Sequence, residues 1–185
     1  NGILFPTVYD KSVQTTTLAN DDPASGKYPF SIRKNVLYKG KVSVVNGNFT
    51  FSFVVPSGIS KNFDFGKISY YAEDGTVDAS GYCESVIVGG VSNNPLTDKV
   101  GPQVELYMND NKFVFGGITN EDPQLYAVVK DSSGINRSGI DIGHDITTML
   151  DDDSKEEINL NDYYEADLDS YKSGTVRYPF SKLSE

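Results

Sequence analysis

The chain of 185 residues has no tryptophan, one cysteine and one histidine. It also has no apolar run near the ~20 residues that a membrane-spanning helix needs. Each shortage closes off a class of protein. One cysteine excludes an intrachain disulfide, so any core here rests on packing alone. Cys83 and His144, each the only one of its kind, leave a single nucleophile–base pair to consider, a Cys–His dyad. Cys83 lies in an alternating run and His144 in a loop-like stretch far along the chain, which reads as a small strand residue and a turn residue. No signal peptide is recognisable, and the abrupt start at Asn1-Gly2-Ile3 predicts a piece of something longer. Positive charge is scarce as well. With 16 basic against 26 acidic residues the net charge is −10, which repels phosphate backbones and argues against nucleic-acid binding.

That charge is uneven. Residues 1–97 hold eight basic and eight acidic side chains, so residues 98–185 carry all of the excess, with eight against eighteen. The asymmetry predicts two units with different surfaces. Apolar content is 38% and aromatic content 12%, with 12 Tyr and 10 Phe, enough for thin β layers.

The most informative stretch is Lys41–Val55. Asn46-Gly47 separates two alternating runs, and Asn-Gly there predicts a two-residue type I′ hairpin. The register then sets Val44 opposite Phe49 and Val42 opposite Phe51, which gives one apolar face that needs a second layer. Similar runs recur with turn signals roughly every ten residues. They are Ile3–Asp10 (Pro6 suggesting an edge or a bulge), Ser12–Thr17, Tyr28–Ile32, Val36–Tyr38, Gly66–Ala72 and Gly81–Val88. Asn93-Asn94-Pro95 lies in a linker, and alternation resumes at Val104–Met108, Phe113–Phe115, Leu125–Val129, Ile146–Leu150 and Val176–Phe180. Asn161–Ser170 reads as irregular strand or loop. The expected architecture is all-β: two tandem β-sandwich, immunoglobulin-like domains over 1–92 and 101–185, with a linker over 93–100. The second is short for a seven-stranded sandwich of roughly 100 residues and is expected to be incomplete.

No residue here carries recognisable catalysis, and the expected catalytic, cofactor-binding and metal sites are none. Ten acidic residues crowd 145–169: Asp145, Asp151, Asp152, Asp153, Glu156, Glu157, Asp162, Glu165, Asp167 and Asp169. Such a cluster could hold calcium, but Tyr171 and Lys172 break the EF-hand pattern begun by Asp167 and Asp169, so a solvated face is the simpler reading. Gly89-Gly90 and Gly116-Gly117 lack the Lys-Ser/Thr of a phosphate loop. The sequons at Asn48 and Asn136 matter only in a host that glycosylates them. Tyr70-Tyr71 and Tyr163-Tyr164 each suit one ring packed inward and one on the surface.

Several phrases, in order, resemble a known family. The first half contributes YKGKVSVVNGNFTFSFVVP, GKISYYA and IVGG. The second contributes GPQVELYMNDNKFVFGGITNEDPQLYAVVKDSSGIN, GHDI and LNDYYEADLDSYKSGTVRYPFSKLSE. Together they are similar to the region that follows the peptidase domain in the type IX secretion system sortases of Bacteroidetes, members of the gingipain-like cysteine peptidase family. The resemblance implies an exported, cell-surface and outer-membrane-associated parent that removes sorting signals from cargo and helps attach it. It implies as partners the secretion machinery at the outer membrane and the parent's own catalytic domain, with no membrane insertion by this region. Cys83 and His144 fall in no matching catalytic motif, so no catalytic role carries over. Family sequence extends beyond both ends of this chain, so strand Val176–Phe180 is expected to lie beside an unfilled slot or to be completed by another chain. Three functions are thereby open: a non-catalytic scaffold or docking module, a carbohydrate-binding or adhesion module using exposed tyrosines, and, least supported, a complete enzyme.

Overall fold

The computed structural model describes residues 1–21, 24, 26–95, 98–137, 145–151 and 157–183. In chain order the strands are β1 Gly2–Tyr9, β2 Val13–Thr16, β3 Pro29–Ile32, β4 Val36–Lys39, β5 Val42–Val44, β6 Asp64–Phe65, β7 Lys67–Glu73 and β8 Asp78–Cys83. They continue with β9 Ile87–Val88, β10 Gln103–Met108, β11 Gln124–Lys130, β12 Thr147–Thr148, β13 Ile158–Asn159, β14 Tyr164–Ala166 and β15 Ser173–Pro179. The chain is all-β: among the described residues the helical structure is 3-10 only, at Ala24 and in the turn Asn161–Tyr163.

Two larger antiparallel sheets dominate. The first runs β4-β1-β7-β8, with β5 also on β1; the second runs β10-β11-β15-β14. Period-two burial drives both. In β11, Leu125, Ala127 and Val129 point inward and are 3–4% exposed, while Gln124, Tyr126 and Val128 point outward. Across the ladder Val176 is fully buried, opposite Ala127 and Tyr164. Leu160, Tyr164 and Ala166 complete that core, with Ile146 and Ile158 packed on it. The first sheet builds a separate cluster of Val8, Leu37, Tyr38 and Ile59, covered by Phe51, Phe53, Ile68 and Val88. β2 and β3 form a ribbon that buries almost nothing: Phe30 and Ile32 are exposed, and so are Leu18 and Tyr28 just beyond its ends.

Pro6 lies not at an edge but in the central strand β1, fully buried. β5 pairs with Gly2–Leu4 and β4 with Thr7–Tyr9, which leaves a break between them at Pro6. Gly40 donates across that break to the Pro6 carbonyl at 3.3 Å. The imide nitrogen faces the same break, where no ladder donor is required.

The Asn46-Gly47 turn forms as expected. Asn46 and Gly47 have φ of 51° and 76°, and Val45 and Asn48 exchange both backbone hydrogen bonds at 2.9 and 3.0 Å. The return strand does not. Val44 pairs with Gly2 and Val42 with Leu4, while Phe49–Val55 makes no ladder. Phe51 and Phe53 remain half-buried with exposed Ser52 between them, stacked on Tyr38 at 5.7 and 5.1 Å. Packing thus preserves the alternation without the ladder, because another segment holds the free edge of β5.

Two further expectations are corrected. Gly81–Val88 is not one strand: the ladder with β7 ends at Cys83, and Ile87–Val88 pairs with β6 in another sheet. Phe113–Phe115 does not return as a strand. Asn109 closes directly on Gln124, its N–H donating to the Gln124 carbonyl at 2.7 Å and its side-chain oxygen accepting from the Gln124 N–H at 2.9 Å. Residues 110–123 loop out from that clasp, leaving Phe115 fully exposed. The expected gap beside Val176–Phe180 is partly filled: β11 pairs along all of β15, whereas β14 covers only Gly174–Val176 on the other side, and Arg177–Pro179 has no ladder partner there among the described residues. The outermost strands of this sheet are β10 and β14, and on β10 Val104 and Leu106 remain 56% and 62% exposed.

Candidate functional site

The most elaborate polar arrangement lies where the two larger sheets meet, around Lys41–Ser43 and Tyr164–Tyr171. Antiparallel pairing with β1 uses the backbone groups of Val42 and Val44, so those of Lys41, Ser43 and Val45 face the other edge. Asp169, in the left-handed region with φ of 58°, caps that edge. Its carboxylate accepts from the Ser43 N–H at 2.8 Å and from the Ser43 hydroxyl at 2.7 Å. Its own N–H donates to the Lys41 carbonyl at 2.9 Å, making a parallel bridge between Lys41 and Leu168. Lys41 Nζ adds an ion pair to Glu165 at 3.0 Å. The hydrogen bonds from Ser43 hold the Asp169 carboxyl below the usual range. Burial, with Asp169 nearby, raises the Tyr38 phenol.

Behind this edge, Tyr38, Phe53 and Val54 of the first half meet Gly134, Ile135, Arg137, Tyr164 and Tyr171 of the second around a cavity of about 20 Å³. A Cβ on Gly134 would lie 2.9 Å from the Tyr171 ring and 3.4 Å from Val54, so the close approach needs glycine. Arg137 is 7% exposed and donates to the Tyr164 carbonyl at 3.4 Å; its counter-charge, Asp162, is 3.9 Å away with a side chain 98% exposed. Burial pulls the guanidinium pKa down and pushes the Tyr164 phenol up. Arg137 Nε and Tyr164 Oη find no hydrogen-bond partner among the described residues. A cavity this size suits a single bridging water rather than an organic ligand.

The acidic run does not converge. Asp145 accepts from the Asn161 side chain, Asp162 reaches toward Arg137, Glu165 pairs with Lys41, and Asp169 caps Ser43. Among the described residues no group of three or more His, Cys, Asp or Glu side chains could hold a metal ion. Asp152, Asp153 and Glu156 lie outside the described residues, as does His144. Cys83 ends β8 opposite Ile68, its Sγ 3.3 Å from Ser85 Oγ, a hydrogen bond that lowers the thiol pKa. The tyrosine pairs divide as expected: Tyr164 is 3% exposed beside Tyr163 at 42%, and Tyr70 is half-buried beside Tyr71 at 41%. Tyr163 meets Tyr178 edge-on at 77° and Tyr71 meets Phe5 at 39°, so neither surface ring extends into a flat platform.

No family model matches the chain, and no curated protein does either. One solved structure with similarity is dimeric latent PorU from Porphyromonas gingivalis. The match has 30% sequence identity and a TM-score of 0.49, covering 100% of this chain and 17% of that one. The chain therefore spans about a sixth of the length of PorU, the rest of which has no counterpart here.

Sequence reasoning placed Asp169 in the acidic run but missed its role at the β5 edge. No local pattern marks that role, because its partner Ser43 is 126 residues away. Arg137 was missed entirely, because nothing local distinguishes a buried arginine from a solvated one.

Proposed function

We propose that this chain is a non-catalytic β-sandwich region of a type IX secretion sortase of the gingipain-like cysteine peptidase family, a PorU-like segment that serves as a scaffold and docking module for processing and surface attachment of exported cargo. The supporting observation is the ordered run of phrases, from YKGKVSVVNGNFTFSFVVP to the closing LNDYYEADLDSYKSGTVRYPFSKLSE, which covers most of the chain and resembles the region after the peptidase domain. On this reading the chain forms two units joined near Pro95 and works at the cell surface, associated with the outer membrane. Its partners are the parent's own catalytic domain and the secretion machinery. Bond cleavage belongs to that catalytic domain, not to Cys83 or His144.

The test has two arms. The purified chain, immobilised and exposed to outer-membrane extract from a type IX-secreting bacterium, should retain components of that machinery or a family peptidase domain supplied in trans. Mixed alone with a sorting-signal peptide, it should give no cleavage. Turnover of the peptide, or retention of neither class of partner, overturns the proposal.

A further inference from the structure

The outer edge of β5 is shared by two claimants. Val45 is held by Asn48, across the Asn-Gly turn. The next two positions, Ser43 and Lys41, are those that Thr50 and Ser52 would take if the hairpin zipped on in register. Instead both are held by Asp169, through its carboxylate and its backbone N–H respectively. We infer that this edge is an exchange site: it is held by Leu168–Asp169 while the second sheet is docked and by Thr50 and Ser52 when that sheet is released, so docking and hairpin closure exclude each other.

Four observations carry this. First, the turn is already set, with Asn46 and Gly47 in the left-handed region and the first pair made, so zipping two more pairs closes almost no new loop. Second, the exchange leaves the rings where they are needed. Val42 is 1% exposed and faces the core, and the hairpin register places Phe51 opposite it on that same face, where the structure already stacks Phe51 on Tyr38. Third, Thr50 and Ser52 are exposed, and among the described residues no hydrogen bond engages either residue's backbone. Fourth, the Asp169–Ser43 hydrogen bonds are solvent-exposed, and the ion pair beside them joins a Lys41 side chain 34% exposed to a Glu165 side chain 44% exposed, a setting in which ion pairs are weak. A bare strand edge invites pairing with other chains, and an edge with two alternative covers is protected in either state. The inference does not depend on the secretion reading and is tested separately from it.

Residue-resolved amide hydrogen exchange on the full chain decides it. In the unaltered protein the Ser43 amide should exchange slowly, and those of Thr50 and Ser52 fast. In Asp169→Ala, Thr50 and Ser52 should slow by about tenfold or more while Ser43 stays protected, now by Thr50. Adding Thr50→Pro, which removes a ladder donor, should abolish the gain at Ser52. If Asp169→Ala instead exposes Ser43 with Thr50 and Ser52 still fast, Asp169 is a structural contact and the inference fails. Slow exchange at Thr50 and Ser52 in the unaltered protein, or a gain at Ser52 that survives Thr50→Pro, sinks it equally.

Discussion

Gly174→Ala probes whether β14, read only as irregular strand or loop in the sequence, belongs to the second core. Gly174 stands in β15 opposite Ala166 on one side and Val129 on the other. A Cβ there would lie 2.5 Å from the Glu165 carbonyl oxygen, 2.5 Å from Tyr164 Oη and 2.6 Å from Tyr164 Cζ, well inside ordinary contact. Neither obstacle can yield cheaply. The carbonyl is β14 backbone, and Tyr164 is only 3% exposed. Overpacking of this kind costs about 1–3 kcal/mol, and a ring with no exit places it near the top of that range. Alanine restricts the unfolded chain and returns about 0.4–1 kcal/mol, so the net loss should be about 2 kcal/mol. In thermal unfolding that loss means ~8–16 °C if a unit of 60–100 residues melts by itself, and ~4–8 °C if 150–250 residues melt together. One calorimetric scan therefore reads both the β14 contact and the independence of the two units. Gly81→Ala is the control: it lies in β8, has nothing within 4 Å of the new methyl, and should be neutral or slightly stabilising. If Gly174→Ala unfolds within about 0.5 kcal/mol of the parent protein, the packing of Tyr164 across β15 is not as described.

Tyr164→Phe should cost little, within about 1 kcal/mol by denaturant unfolding, because the hydroxyl has no partner to lose among the described residues; a loss above about 3 kcal/mol would show that Oη anchors a network in that cavity. Asp74 caps the turn after β7, and hydrogen bonds from the Thr76 hydroxyl and from the Val77 and Thr76 amides lower its carboxyl pKa from 3.8 to about 2. A depressed carboxyl contributes stability that is complete above the unfolded value near 3.8 and is lost as pH falls through about 2. Thr76→Ala should accordingly move the Asp74 carbon chemical-shift titration upward toward 3.8, and an unchanged midpoint would refute the cap.

The all-β class was legible because it depends on period-two side chains, a local property of each strand. β11 and β15 follow that pattern almost residue for residue. Turn chemistry was legible for the same reason, and Asn46-Gly47 adopts the backbone its residues demand. What sequence could not supply was which segment covers which edge. Pro6 suggests an edge or a bulge, yet the gap that tolerates it is made by the chain crossing from β4 to β5 at Gly40, some 34 residues later. The same blindness hid the clasp of Asn109 on Gln124, where a side-chain amide does the work expected of a returning strand at Phe113–Phe115.

The fate of Phe49–Phe53 shows why such errors are physical rather than incidental. Alternation specifies which side chains face the core, and burying an aromatic ring yields more than one exposed backbone hydrogen bond, which exchanges partners with water for only ~0.5–1.5 kcal/mol net. A segment can therefore keep its rings on Tyr38 and surrender its ladder, provided something else satisfies the strand it leaves. Asp169 does this at Ser43 and Lys41, combining one carboxylate and one N–H in a single residue. The hydrophobic pattern that made the hairpin readable is thus satisfied whether or not the hairpin closes, and the choice between the two passes to a carboxylate more than a hundred residues away.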